Sequence, residues 1–242
     1  MQPNFSVPQL PRLVGARLID APLAALAWLL LERGVPVLVA GREAAVADAL
    51  LDALVSALPR DRRPDPVLGP GGDRVVRIAG RLEIGTPPGI LRAALGATTG
   101  RSGLAGTIVA DDLEGVLAVL RGQGLTDDEI SFMGVVLVLG ARETGSAAGA
   151  TDGRRPDELG ATRVLAAHYL RPVVLDAGGH PRRLPPAVLA TWDPAADAWD
   201  DYAWGIAPDL AERARMRTGD LEAERDRRAA ALTDHASGER VG

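Results

Sequence analysis

Two short, continuous apolar runs constrain the fold of this chain more than any other feature. Residues 35–40 (VPVLVA) and the centre of residues 131–139 (VVLVL) show no alternation of polar and apolar positions. Such runs are typical of strands buried on both faces, as in parallel sheets that helices cover. Residues 21–33, 43–58 and 112–121 are predicted to form helices between strands. The sequence therefore predicts an α/β fold with a mainly parallel sheet.

The rest of the chain suggests a three-part organisation. A lead-in (residues 1–20) precedes the main domain (residues 21–205), and a helical tail with a disordered end follows (residues 206–242). Within the domain we predict strands at 75–84, 106–110, 163–174 and 187–192, a helix at 88–97, and loops at 60–73 and 143–160. Pairing around residues 145–153 adds an antiparallel element. The tail helix covers residues 209–233, with a break near Gly219.

Composition excludes several kinds of chemistry. All 27 basic residues are Arg, and the chain contains neither Lys nor Cys, so Schiff-base lysines, disulfides and thiolate metal sites are impossible. The net charge of −5 gives no general affinity for nucleic acid or for an anionic membrane. The longest apolar run, residues 24–31, is far shorter than the ~20 residues that span a bilayer. The N-terminus lacks a signal-peptide pattern, so we expect a cytoplasmic protein.

The segment VLVAGREAAVADALLDAL (residues 37–54) has the layout of a phosphate-binding loop. An apolar strand runs into Gly41, and an amphipathic helix follows. A phosphate-binding loop, however, follows the pattern G-x-x-x-x-G-K-[ST], and this segment has one Gly and no Lys. The segment is therefore either a nucleotide site that has lost its chemistry or a site that never existed.

Three segments in the same order resemble the motor domain of the secretion ATPases, which drive type II and type IV secretion, type IV pili and archaeal flagella. They are residues 11–41 (PRLVGARLIDAPLAALAWLLLERGVPVLVAG), 97–120 (ATTGRSGLAGTIVADDLEGVLAVL) and 190–199 (ATWDPAADAW). The resemblance covers residues 13–235. It implies a three-layer, RecA-like sheet with helices on both faces, an antiparallel C-terminal hairpin and a helical tail. It also implies ATP and Mg²⁺ as the family's ligands, and assembly into rings.

The chain departs from this family at the phosphate loop. Gly41 keeps the first Gly, but Val46 stands at the second Gly position, Ala47 at the Lys position and Asp48 at the Ser/Thr position. We expect Val46 to crowd the loop and Asp48 to repel phosphate, because Asp48 puts a carboxylate where the family has a metal-binding hydroxyl. Arg42 and the dipole of the following helix could still hold an anion weakly.

The family's acidic and His positions are also changed. Residues 73–85 (DRVVRIAGRLEIG) can be compared with either of two family motifs. Against the acidic pair, Ala79 and Gly80 replace acids and Glu83 survives; against the motif with the catalytic Glu, Ala79 replaces that Glu and Arg81 matches its Arg. The two family His positions correspond to Arg101 and Val109.

These departures lead us to expect a catalytically inactive relative without a cofactor, acting as an interaction or regulatory subunit of a secretion, pilus or flagellar assembly. The expected partners are proteins, such as an active secretion-type ATPase or the pilus assembly base, in a homo- or hetero-oligomer that is at most peripheral to membrane machinery. The alternative is an ATP-binding or weakly active ATPase in which Arg42, or an Arg of a neighbouring subunit, replaces the Lys and Asp48 holds Mg²⁺. A third possibility is an unrelated small-molecule site at the carboxyl ends of the strands.

An aromatic cluster allows two interpretations. Trp192, Trp199, Tyr202 and Trp204 lie in WDPAADAWDDYAW. They could form a docking patch for a partner protein, or a hairpin with a turn at Asp193 and cross-strand packing of its aromatic rings. We favour the hairpin. The Asp residues of this segment match no calcium-loop spacing and the three His are scattered, so no metal site is predicted.

Overall fold

The structure, a computed structural model, describes residues 9–65, 73–98, 102–141 and 161–238. Its helices are α1 (Gln9–Gly15), α2 (Ala21–Glu32), α3 (Ala44–Ala57), α4 (Ile90–Gly96), α5 (Leu113–Gly122), α6 (Asp127–Ser131), α7 (Ala207–Arg213) and α8 (Thr218–Gly238). Its strands are β1 (Val37–Ala40), β2 (Val76–Leu82), β3 (Leu104–Ile108), β4 (Gly134–Ala141), β5 (Thr162–Leu170), β6 (Val174–Leu175), β7 (Pro181–Arg182), β8 (Ala187–Asp193) and β9 (Ala198–Asp201). A 3-10 helix, Ala203–Ile206, precedes α7.

The chain has an α/β fold built on a mixed seven-stranded sheet. The strand order is β2-β3-β1-β4-β5-β8-β9, and β6 and β7 form a separate two-stranded hairpin. Strands β2, β3, β1 and β4 are parallel. The pairs β4–β5, β5–β8 and β8–β9 are antiparallel, so the antiparallel part is larger than the predicted C-terminal hairpin.

Helices cover both faces of the sheet. All four residues of β1 are therefore buried, as the apolar run predicts. Val37 and Val39 belong to a core that is closed by α1, α2, α3, α7 and α8. Leu38 and Ala40 belong to a second core, closed by α4, α5 and α6. None of the helices in the described part of the chain is long and apolar enough to cross a membrane.

Four predicted elements differ from those observed. The lead-in contains α1, which tolerates Pro11 because this residue lies in the first helical turn, where no helical N–H bond is lost. The strand predicted at 131–139 begins three residues later, as β4, because residues 127–131 form α6, which starts with a capping box of Thr126 and Glu129. The strand predicted at 106–110 lies two residues earlier, as β3. The strand predicted at 163–174 ends at Leu170, two residues before Pro172.

The tail packs onto the main core. Helix α8 lies against α1 and α2, and its Leu221 and Leu232 are buried. The break in the tail precedes the predicted Gly219: α7 ends at Arg213, and Arg215 adopts a left-handed conformation (φ 54°) before α8 begins. The predicted loop at 143–160 and the predicted pairing around 145–153 lie outside the described residues. The strands on either side, β4 and β5, pair antiparallel.

The aromatic hairpin is confirmed. Trp192 and Trp199 are directly opposite across β8 and β9, with ring centroids 4.5 Å apart in an edge-to-face arrangement. The Asp193 carboxylate accepts a hydrogen bond from the backbone N–H of Ala195 (2.8 Å) and so forms the expected turn. Trp204, in contrast, is 72% exposed, so it takes no part in this packing.

Candidate functional site

The predicted phosphate loop lies at the carboxyl ends of the parallel strands, where ligands of α/β proteins usually bind. Only residues 41–43 separate the end of β1 from the start of α3. A phosphate-binding loop uses a longer connection, because a run of backbone N–H groups has to curve around the phosphate. The observed connection is thus a short strand-to-helix turn.

Gly41 has a packing role in this turn. Its backbone N–H donates to the carbonyl oxygen of Ile108 (3.0 Å), so this N–H is used by the neighbouring strand. A Cβ atom at position 41 would lie 2.9 Å from the Cβ of Leu139 on β4. The close approach of β1 and β4 therefore requires glycine here, whether or not a ligand binds.

Arg81 orients the turn from β2. Its guanidinium donates hydrogen bonds to the carbonyl oxygens of Gly41 and Arg42, the latter at 3.2 Å. These two backbone groups are acceptors directed at a cation. Phosphate needs the opposite arrangement, in which backbone N–H groups converge on the anion.

Arg42 forms an ion pair with Asp111, which follows β3. The Nε atom of Arg42 lies 2.8 Å from Oδ2 of Asp111, and a second nitrogen of the guanidinium bonds the same carboxylate. This hydrogen bonding lowers the pKa of Asp111 and raises the pKa of Arg42. Both side chains are largely exposed, so solvent and salt screen the pair.

The three remaining loop positions lie within α3. Val46 and Ala47 are buried in the core under the helix, so Val46 does not crowd the loop as predicted. The Asp48 carboxylate accepts a hydrogen bond from the Thr107 hydroxyl of β3 (3.1 Å). Asp48 therefore helps to fix α3 on the sheet.

A cavity of about 910 Å³ lies beside Asp48, between α3 and β2. An ion pair between Asp52 and Arg77, 2.5 Å apart, lies in its wall. Asp65, which also lines the cavity, is the last described residue before residues 66–72. This cavity is one candidate space for the third possibility, a small-molecule site.

The region predicted to hold vestigial carboxylates is irregular. The pairing of β2 with β3 shifts between Arg77 and Arg81, and Gly80 has a φ of 73° within this irregularity. Ala79 lies in the same part of β2. Glu83 follows the strand and is exposed. The two alternative family motifs for residues 73–85 both remain compatible with this geometry.

Of the two positions that correspond to the family's His residues, only Val109 lies within the described residues. Val109 follows β3, and its backbone N–H donates to the carbonyl oxygen of Leu82 (2.8 Å). Arg101 lies outside the described residues. Within the described ranges, no three His, Asp or Glu side chains are close enough to form a metal site.

Sequence reasoning missed two important partners in this region, Asp111 and Thr107. Asp111 carried a usable signal, because an acid just after a buried strand lies at the ligand-binding edge of a parallel sheet. Thr107 carried none, since a polar residue within an apolar strand gives no indication of its partner on a helix.

Comparison with known proteins adds no assignment. No protein-family model matches this chain, and no curated protein matches its sequence.

Proposed function

We propose that this chain is a RecA-like, catalytically inactive relative of the secretion and pilus ATPases, and that it acts as an interaction or regulatory subunit. The observation that carries the proposal is the direction of the polar groups in the turn at residues 41–43. The carbonyl oxygens of Gly41 and Arg42 accept hydrogen bonds from Arg81. A phosphate loop instead directs backbone N–H groups at the anion, and the chain has no Lys for the cationic position of the family's loop.

The surroundings of the turn support the same proposal. Phosphoryl transfer depends on a cation and a metal ion placed against the developing charge. Ala47, at the Lys position, is buried in the core. Asp48, at the metal position, is hydrogen-bonded to Thr107. These side chains stabilise the fold, and a nucleotide would have to compete with the contacts they already make.

An exposed aromatic surface supports a role in protein interaction. Trp204 is 72% exposed and Tyr202 is 44% exposed. Both follow β9, which is the last strand of the sheet. Exposed aromatic residues often contribute most of the binding energy of protein interfaces, and an edge strand offers unpaired backbone groups beside them. We propose that an active secretion-type ATPase contacts this surface.

Mixing the purified chain with an active secretion-type ATPase from the same cell tests the proposal. We expect a complex in size-exclusion chromatography with light scattering, and a changed ATPase rate. Trp204→Ala should weaken the complex by roughly 30-fold or more, because the proposal makes this exposed ring an anchor of the interface. Leu175→Ala is the matched control, because Leu175 is 71% exposed on a different hairpin. Unchanged elution and rate at micromolar concentrations, or equal weakening by both variants, would contradict the proposal.

The alternative, nucleotide binding by a rearranged loop, has one supporting observation. Helix α3 is 14 residues long, and Arg42 lies just before its N-terminus. The helix dipole and this guanidinium both favour an anion. The two proposals differ in a single result, the binding of Mg-ATP, which is treated at the end of the Discussion.

A further inference from the structure

A polar pocket lies at the opposite end of the sheet from the turn at residues 41–43. It has a volume of about 500 Å³ and is lined by Tyr169 together with residues from the ends of α2, β5 and α7. Tyr169 pairs with Val135, which in turn pairs with Val37 at the start of β1. The pocket is therefore separated from the candidate phosphate site by the length of β1.

The lining is cationic, although the chain as a whole is acidic. Arg33, Arg171, Arg213 and Arg215 line the pocket. Among the described residues, the lining contains two acidic side chains, Asp209 and Glu212. Since the net charge of the chain is −5, this excess of positive charge is a local feature. Such a pocket attracts anions.

Tyr169 supplies a second, independent observation. The residue is fully buried, and among the described residues its hydroxyl has no hydrogen-bond partner. A buried hydroxyl without a partner is costly. Burial also raises the pKa of Tyr169 to about 12, so the phenol remains neutral and can donate its proton in a hydrogen bond.

The arginines have donors to spare. Arg171 uses one nitrogen for an ion pair with Asp209 (2.7 Å), while its buried Nε atom has no partner in the described part of the chain. The Nε atom of Arg33 is also buried and has no hydrogen-bond partner among the described residues. Arg213 donates to the carbonyl oxygen of Phe132 (3.1 Å), and burial lowers its pKa.

The ends of two helices explain only part of this arrangement. Both α2 and α7 end beside the pocket, and cations are favoured at helix C-termini. The carbonyl groups at the end of α2, however, already accept hydrogen bonds from the backbone N–H groups of Arg33, Gly34 and Val35. The helix ends do not explain the buried hydroxyl of Tyr169.

We propose that this pocket binds a small organic anion through a phosphate or carboxylate group held by Tyr169, Arg171 and Arg213. Guanidinium groups bind such oxyanions with two parallel hydrogen bonds, and the phenol adds a third donor. Val173 and Leu184 provide an apolar wall for the organic part of the ligand. This proposal does not depend on the proposed function.

Thermal melting and calorimetric titration with phenyl phosphate test the proposal, with sodium benzoate as the carboxylate probe. Millimolar phenyl phosphate should raise the melting temperature of the protein at constant ionic strength, and the shift should saturate. Tyr169→Phe keeps the ring and removes only the hydroxyl, and it should weaken binding roughly tenfold or more. Arg213→Gln should weaken binding at least as much.

Two matched variants control for general salt and charge effects. Tyr202→Phe removes an exposed hydroxyl, and Arg227→Gln removes an exposed guanidinium, in both cases outside the pocket. Both should bind the probes like the unmodified protein. Comparison of the two probes distinguishes a phosphate ligand from a carboxylate ligand. The proposal is overturned if neither probe shifts the melting temperature, or if Tyr169→Phe and Arg213→Gln respond like the controls.

Discussion

Replacement of Gly134 by alanine should lower the free energy of unfolding by about 3 kcal/mol or more. Gly134 begins β4 with a φ of 66°, in the left-handed region that side chains disfavour. A Cβ atom there would overlap the backbone carbonyl oxygen of Pro36 and lie 2.7 Å from Cγ1 of Val35. The same carbonyl oxygen accepts the hydrogen bond of Val135 (2.8 Å), so relief of the overlap would break the start of the β1–β4 pairing.

Urea unfolding followed by tryptophan fluorescence measures this effect. Gly122→Ala is the control, because Gly122 ends α5 and a Cβ atom there would meet nothing within 4 Å. The control should leave stability unchanged or raise it by up to about 1 kcal/mol, since alanine favours helix. Equal midpoints for the two variants would show that the close contact between β1 and β4 is wrongly described.

Replacement of Arg228 by methionine should lower the free energy of unfolding by about 2–4 kcal/mol. Arg228 is 6% exposed between α8 and α2, and its guanidinium contacts Glu224 (2.7 Å) and Glu32 (2.8 Å). It also stacks on the Trp28 ring, 4.2 Å from the centroid. Methionine preserves most of the apolar volume. The main effect of the substitution is therefore that two partly buried carboxylates, Glu32 and Glu224, lose the cationic partner they share.

The cost of Arg228→Met should depend on pH. Hydrogen bonds from Arg227 and Arg228 lower the pKa of Glu224 from 4.5 to about 2. Because the folded-state pKa is depressed, this carboxylate stabilises the fold above pH 4.5, and the contribution is lost as the pH falls toward 2. Arg227, the larger cause of the lowered pKa, remains in Arg228→Met, so only part of the stability difference between the variant and its parent should disappear over this range.

Arg227→Met is the matched control for Arg228→Met. Arg227 is the adjacent residue of α8 and contacts the same Glu224 carboxylate, but its side chain is 66% exposed. Solvent screening should limit the loss of stability in this variant to about 1 kcal/mol or less, below the loss in Arg228→Met. If both variants lose the same stability at neutral pH, the tail helix is not held to α2 by the buried pair.

The regular part of the fold could be predicted because its signals are local. Apolar runs without alternation identified β1 and β4, and the turn residues between Trp192 and Trp199 identified the hairpin. The short helices were harder. Helix α6 has five residues and depends on its capping box, whereas α1 contains a proline that normally indicates a break.

The candidate site was harder to predict because its contacts join distant parts of the chain. Arg81 reaches Gly41 from a strand that is not adjacent to β1 in the sheet, and Arg42 meets Asp111 across 69 positions of sequence. A single sequence does not show which residues pair, although the position of Asp111 after a buried strand indicates that it lies at this edge of the sheet. Gly41 illustrates the difficulty, since the residue that suggests a phosphate loop is also required by the approach of Leu139.

Thermal melting with and without millimolar Mg-ATP tests the central claim most directly, the claim that the turn at residues 41–43 does not hold nucleotide. A ligand at ~100 times its dissociation constant adds about 2.7 kcal/mol to the stability of the native state, which a melting curve resolves easily. The measurement includes Tyr169→Phe, because a shift that arises from the cationic pocket should be smaller in that variant. We predict either no shift or one that is smaller in Tyr169→Phe, whereas a saturable Mg-dependent shift of equal size in both proteins would contradict the account.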